Sequence, residues 1–144
     1  MAQPDAAQES LIEPAYVLAC MRRLLPTERG GADGGIADDA AREEADADMI
    51  DAGCAVWDLA SNVELAAFMC KHGLPALLLR PIRVHESHSV RLVEVCVGAL
   101  ANLVGSEPLL RALTSSHPEA PDVLCGLLVR TTAAPVLLEL MRLF

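Results

Sequence analysis

About 45 residues separate two segments of this chain that read as the same helix. In Val90-Arg91-Leu92-Val93-Glu94-Val95-Cys96 and Pro135-Val136-Leu137-Leu138-Glu139-Leu140-Met141 the leucine, the aliphatic residues and the glutamate fall at matching places, with Leu92 and Leu137 in register. A recurrence of about 40–47 residues, each unit carrying two or three helices, is the signature of a stacked helical array. Each unit of such an array buries its apolar face on its neighbours and leaves a long rigid surface. The first expectation is therefore binding, not catalysis.

Composition agrees with helix-on-helix packing. Of 144 residues 53% are hydrophobic and only 3% aromatic, so the core is aliphatic. The apolar runs lack the period-two alternation of half-buried strands, and the expected class is all-α. No run reaches the roughly 18 uninterrupted apolar residues of a membrane span. Gln3, Pro4 and Asp5, with no early basic residue, do not read as a signal peptide, which places the protein inside the cell. Cys20, Cys54, Cys70, Cys96 and Cys125 are scattered without a C-x-x-C pair, as free thiols are. The net charge of −9 and the single lysine, Lys71, argue against a nucleic-acid partner, whose phosphates need clustered cations.

Along the chain, residues 1–26 are expected to hold an N-terminal helix, Ser10 to Leu25, with Ser10 as N-cap, Glu13 at capping-box distance and Pro14 in the opening turn. Residues 27–37 carry Gly30, Gly31, Gly34 and Gly35 and read as a flexible linker, after which a repeat domain spans 38–144. That domain opens on an acidic helix from Asp38 to about Ala60. Seven acids (Asp38, Asp39, Glu43, Glu44, Asp46, Asp48, Asp51) face the single Arg42 there, either as a solvated face or as an acidic docking surface. Asn62 caps a short helix, Val63 to Lys71, which Gly73 closes in the left-handed conformation. A helix from Ala76 to Leu79 is expected to break at Pro81. After the polar loop Val84–Ser89 come a long helix, Val90–Val104, a short one capped by Ser106, another from Asp122 to Val129, and a last one from near Thr132 to Phe144.

The order long, short, medium, long, short, medium, long is the three-helix armadillo layout, an armadillo-like right-handed superhelix whose long third helices line the concave side. On Val90–Val104 two apolar stripes leave a narrow line, Arg91, Glu94, Val95, Gly98 and Asn102, expected to face the groove. Stepping back about 44 residues puts Asp51, Cys54 and Asp58 in the equivalent places. The expected protein-binding positions are Asp51, Asp58, Arg91, Glu94 and Asn102. Acidic positions would favour a basic peptide segment, and the Asn102 amide would either bridge to a peptide backbone or cap neighbouring helices.

Gly73-Leu74-Pro75-Ala76-Leu77 followed by Gly98-Ala99-Leu100-Ala101-Asn102-Leu103 resembles the armadillo consensus of a G-x-P-x-L second helix and a G-A-L-x-N-L third helix. Cys54-Ala55-Val56-Trp57-Asp58-Leu59-Ala60-Ser61 and Glu94-Val95-Cys96-Val97-Gly98-Ala99-Leu100-Ala101-Asn102 resemble the serum-amyloid-A-like protein 1 family, over about Asp46 to Phe144. The resemblance implies an intracellular armadillo-type protein associated with the nucleus and with cell proliferation, without an established enzyme activity. It also implies that the chain stops mid-helix, as a product truncated at its C-terminus. Nuclear-import arrays place a tryptophan four residues before the groove asparagine. Here Gly98 and Cys54 stand at those positions, and Trp57 points into the packing between helices.

Chemistry is poorly supplied. Cys70 and His72, two apart on a helix, point in different directions. His85 and His88, three apart in a loop, have only Glu86 beside them and read as surface histidines, not metal ligands. No phosphate loop, nucleophile elbow or paired-carboxylate cleft is present. The expectation is a non-enzymatic protein-protein interaction module or adaptor without cofactor or metal, with no membrane partner. A structural fragment that self-associates through an uncapped C-terminal repeat is the alternative.

Overall fold

The computed structural model describes residues 12–26 and 38–144. Among them are eight α-helices, one 3-10 turn and no strand, as expected of an all-α chain. The helices are α1 (Pro14–Arg23), α2 (Asp39–Leu59), α3 (Val63–Lys71), α4 (Leu74–Arg83), α5 (Val90–Val104), α6 (Glu107–Ser116), α7 (Ala120–Arg130) and α8 (Ala134–Leu143), with the turn at His85–Ser87.

Local chemistry sets most of these boundaries. Asp38 caps α2 by accepting the Ala41 N–H at 2.8 Å, and Asn62 caps α3 by accepting from Glu64 and Leu65. Gly73, at φ 89°, closes α3 and serves as the cap residue of α4, a left-handed geometry that favours glycine. Several expectations differ, and α4, α7 and α8 begin at Leu74, Ala120 and Ala134 instead of Ala76, Asp122 and Thr132. Ser10 and the 27–37 linker lie outside the described residues, and within them α1 starts at Pro14. Glu13 before it is extended, as a residue preceding proline must be, so the helix does not run through from upstream. Ser106 stands at the cap of α6 without using its side chain. The expected break at Pro81 is absent. The helix α4 continues through it to Arg83, because the proline falls near the end, where one backbone bond is lost while Leu78, Leu79, Pro81 and Ile82 are all buried.

The helix α5 lies between α2 and α8 and also packs on α4, while α1 packs on α2 and α4 on α7. Ten of the fifteen residues of α5 are buried, which makes it the spine of the molecule. Val17, Cys20, Met21 and Leu24 from α1 join the same buried cluster as Ala52, Val56, Cys96, Leu100 and Leu140, so α1 is built into the core.

Burial does not match the expected pairing of Leu92 with Leu137, since Leu92 is buried and Leu137 only half-buried. At a spacing of about 44 residues, Ala52, Cys96 and Leu140 are all buried, as are Leu92 and Val136. The expected alternation of lengths holds from α2 to α5 and then fades, since α6, α7 and α8 have 10, 11 and 10 residues. Among the described residues no single helix is long and apolar enough to cross a membrane.

Candidate functional site

Two glycines bring α2 and α5 together. A Cβ on Gly53 would lie 2.6 Å from Val95 Cγ1, and one on Gly98 would lie 2.4 Å from the indole of Trp57. Gly98 is the space into which the Trp57 ring settles, which places Trp57 between helices as expected. The same contacts correct the expected open line along α5. Val95 and Gly98, its two central members, are buried against α2, because the pairing of a small residue with a large one closes the helix-helix gap there.

The remaining line positions fall into two groups. Arg91 and Glu94 pair with each other at 2.8 Å, and Arg91 also donates to Cys54 Sγ at 3.6 Å. The Glu94 carboxylate, followed by its other neighbours, raises the Arg91 pKa above its ordinary value. Asn102 ties three helices together: its amide N–H donates to the Trp57 carbonyl of α2 at 3.0 Å, and its Oδ1 accepts from Arg142 of α8 at 3.0 Å. Arg142 is held in turn by Glu139. Of the two roles open to Asn102, bridging to a ligand or fastening neighbouring helices, the hydrogen bonds are those of the fastening role.

Asp51 and Asp58 are exposed on α2. Asp51 lies within electrostatic reach of Arg23. Asp58 is at the rim of an open cleft of about 500 Å³ between the start of α1, the end of α2 and the start of α3. Ile12, Tyr16, Ala55, Leu59 and Leu65 form its apolar wall. The Tyr16 hydroxyl pKa is raised, chiefly by its hydrogen bond with Cys20, so the phenol stays protonated at neutral pH. The cleft thus offers aliphatic and aromatic surface beside one carboxylate.

The residue that sequence reasoning missed is Asp46. Placed among the solvated acids of α2, it is fully buried. Its Oδ2 accepts the Ser89 N–H at 2.7 Å and its Oδ1 lies 3.1 Å from His88 Nδ1. The Ser89 hydroxyl accepts the Leu92 N–H, so Ser89 caps α5. In a local capping box a Glu or Gln three residues after the cap would accept the cap residue's own N–H. That place holds the core residue Leu92, and the carboxylate comes instead from α2. Ser89 followed by an apolar third residue was the available signal that an acceptor had to come from elsewhere. His88 is accordingly not a surface histidine but a half-buried partner of Asp46.

The other candidate chemistry does not assemble. Burial raises the Cys70 thiol pKa, the opposite of activation, while His72 binds the Phe68 carbonyl. Burial, with Asp46 adding to it, pushes Cys96 up to about 12. His85 faces the Ile82 carbonyl and His88 faces Asp46, so the two rings do not converge. Among the described residues no three metal-ligating side chains come together.

The chain is similar to Protein saal1 of Xenopus tropicalis, 37% identical over 108 residues, which is 74% of this chain and 22% of that protein. It is 34% identical over 90 residues to Protein saal1 of Danio rerio, covering 62% of this chain and 18% of that one. The chain therefore spans about a fifth of the length of the curated relatives it matches. No family model matches the chain, and no solved structure matches it. The resemblance to the serum-amyloid-A-like protein 1 family, read from the V-W-D and E-x-C-V-G segments, is thus shown at the level of whole-segment identity.

Proposed function

For a chain that resembles the saal1 proteins, we propose the role of a non-enzymatic interaction module, an armadillo-like stack inside the cell, nuclear and/or cytoplasmic, that holds a segment of a partner protein without a cofactor. The observation that carries this reading is the Asn102 junction. By fastening α2, α5 and α8 to one another it fixes the backbone on which Asp51 and Asp58 stand exposed. A surface ordered in advance loses little entropy on binding, which favours recognition of an extended or helical segment.

The chemistry of the surface selects the ligand. Asp58 beside the apolar wall of Ile12, Tyr16 and Leu65 matches a segment that places an aliphatic or aromatic side chain next to a lysine or arginine. Asn102 is a poor residue with which to test this, since its loss would loosen the stack itself. Affinity capture with the full chain, comparing wild type with Asp51→Ala/Asp58→Ala, is the cleaner experiment. The expected outcome is loss of basic partners at unchanged helicity by circular dichroism. Equal recovery by both proteins would remove the acidic face from consideration.

A further inference from the structure

The cleft between the start of α1, the end of α2 and the start of α3 is built by elements that pack on one another, since α1 touches both α2 and α3. Its polar groups are unequally free. The Ser61 hydroxyl donates to the Asp58 carbonyl at 2.6 Å, and Asn62 Oδ1 accepts the Glu64 and Leu65 N–H groups at 3.0 and 3.1 Å. Both side chains are thus occupied in joining α2 to α3. The Asp58 carboxylate differs from them: no hydrogen bond or ion pair engages it among the described residues, and no lysine or arginine lines the cleft. Elsewhere the chain meets its carboxylates with guanidinium groups, Arg23 on Asp48, Arg83 on Glu119, Arg91 on Glu94 and Arg142 on Glu139. Asp51, the other exposed acid of the proposed surface, has Arg23 within electrostatic reach. Asp58 combines a free charge with an apolar wall at its side.

The wall restricts which cation can supply the missing charge. Ile12 and Leu65 are aliphatic, and Tyr16 is 54% exposed, with its hydroxyl engaged by Cys20 one turn further along its own helix. A ligand must bring its positive charge past this apolar surface to a single carboxylate. Lysine does so with a compact, strongly hydrated ammonium that loses water on the way. Arginine is better matched, because its aliphatic stem packs on apolar side chains, its weakly hydrated plane stacks on an aromatic ring, and its N–H fork meets both oxygens of a carboxylate. A cavity of this size takes one long side chain with the backbone beside it. We infer that the cleft reads a single arginine of a partner protein, stem along Ile12 and Leu65, plane on Tyr16 and fork on Asp58, in preference to lysine. The inference rests on the interaction role proposed above and narrows it, since one side chain then supplies both the charge and the apolar contact.

The test titrates two short capped peptides, identical except for a central arginine or lysine between glycines, into the isotope-labelled full chain and follows its amide signals by NMR. A lone anchor of this kind binds at about a millimolar, which such a titration measures. The signals of Tyr16, Asp58 and Leu65 are expected to shift, with the arginine peptide bound about threefold to tenfold more tightly than the lysine peptide. Asp58→Asn weakens both peptides. Tyr16→Leu, which keeps an apolar wall but removes the ring, brings the arginine peptide down to the lysine level. Both positions are exposed, so the variants keep their helicity, which circular dichroism checks. Equal affinity for the two peptides, or an arginine preference that survives Tyr16→Leu, would overturn the arginine preference and leave a basic partner at Asp58 standing. No shift at these residues with either peptide would overturn the cleft as the site, while capture by wild type against Asp51→Ala/Asp58→Ala decides separately whether the acidic face acts.

Discussion

Two glycines of equal sequence rank have opposite structural meanings. Gly98 has the Trp57 indole within 2.4 Å of where a Cβ would stand, and the obstacle is a rigid ring wedged between helices. Gly98→Ala is expected to destabilise the fold by about 1–3 kcal/mol through overpacking. Gly126, within α7, meets nothing within 4 Å, so Gly126→Ala should stabilise by about 0.5–1 kcal/mol as helix backbone entropy is recovered. Urea denaturation of the two variants decides the matter, and equal effects would mean that the α2–α5 contact is looser than described. The sequence contained half of this contrast. It showed that Gly98 stood where nuclear-import arrays hold a tryptophan and that Trp57 faced inward, but the meeting of these two residues depends on the closeness of α2 and α5, which periodicity does not report.

Between elements, the attachment of α1 to α2 is the most exposed to solution conditions. Arg23 binds Asp48 through Nε at 3.0 Å and through Nη2, and this hydrogen bond, opposed by partial desolvation, holds the Asp48 carboxyl below its ordinary range and raises the guanidinium. A carboxylate whose pKa is lower in the folded state stabilises the fold fully above the unfolded value of about 3.9, and the contribution fades as pH falls through the lowered folded value. The Arg23→Ala variant should therefore melt below wild type at pH 7, with the gap closing progressively beneath pH 4 and shrinking in high salt at neutral pH. Thermal melts across pH measure it, and a gap that stayed unchanged into acid would show that Arg23 acts through packing alone. The caps at Asn62 and Gly73 were legible because they depend on residues within three or four positions. The run of α4 through Pro81 was not, because burial of Leu78, Leu79 and Ile82 against other helices outweighs a local preference.

For the molecule as a whole, the helical class and the stacking of α5 between α2 and α8 followed from a single repeat comparison. The exact register did not, because leucine-rich segments align nearly as well one residue out, and only burial separates Leu137 from Val136. The candidate surface was half legible. Asp51 and Asp58 are exposed as expected, whereas Asn102 is occupied by its neighbours and Asp46 was hidden in a charge run. Asp46→Ala would leave the Ser89 N–H without its carboxylate and is expected to cost about 1–3 kcal/mol. Native-state hydrogen exchange should find the loss at the first turn of α5, with amides near Val90 to Leu92 opening sooner than those in α7. Unchanged protection there would deny Asp46 its capping role.

That carboxylate has a consequence for how the chain is born. While the ribosome has delivered α2 but not yet Ser89, Asp46 lacks the backbone donor that the folded chain sets 2.7 Å from its Oδ2. Its full set of hydrogen bonds forms only once the next long helix begins to emerge, which couples the setting of α2 to that of the spine.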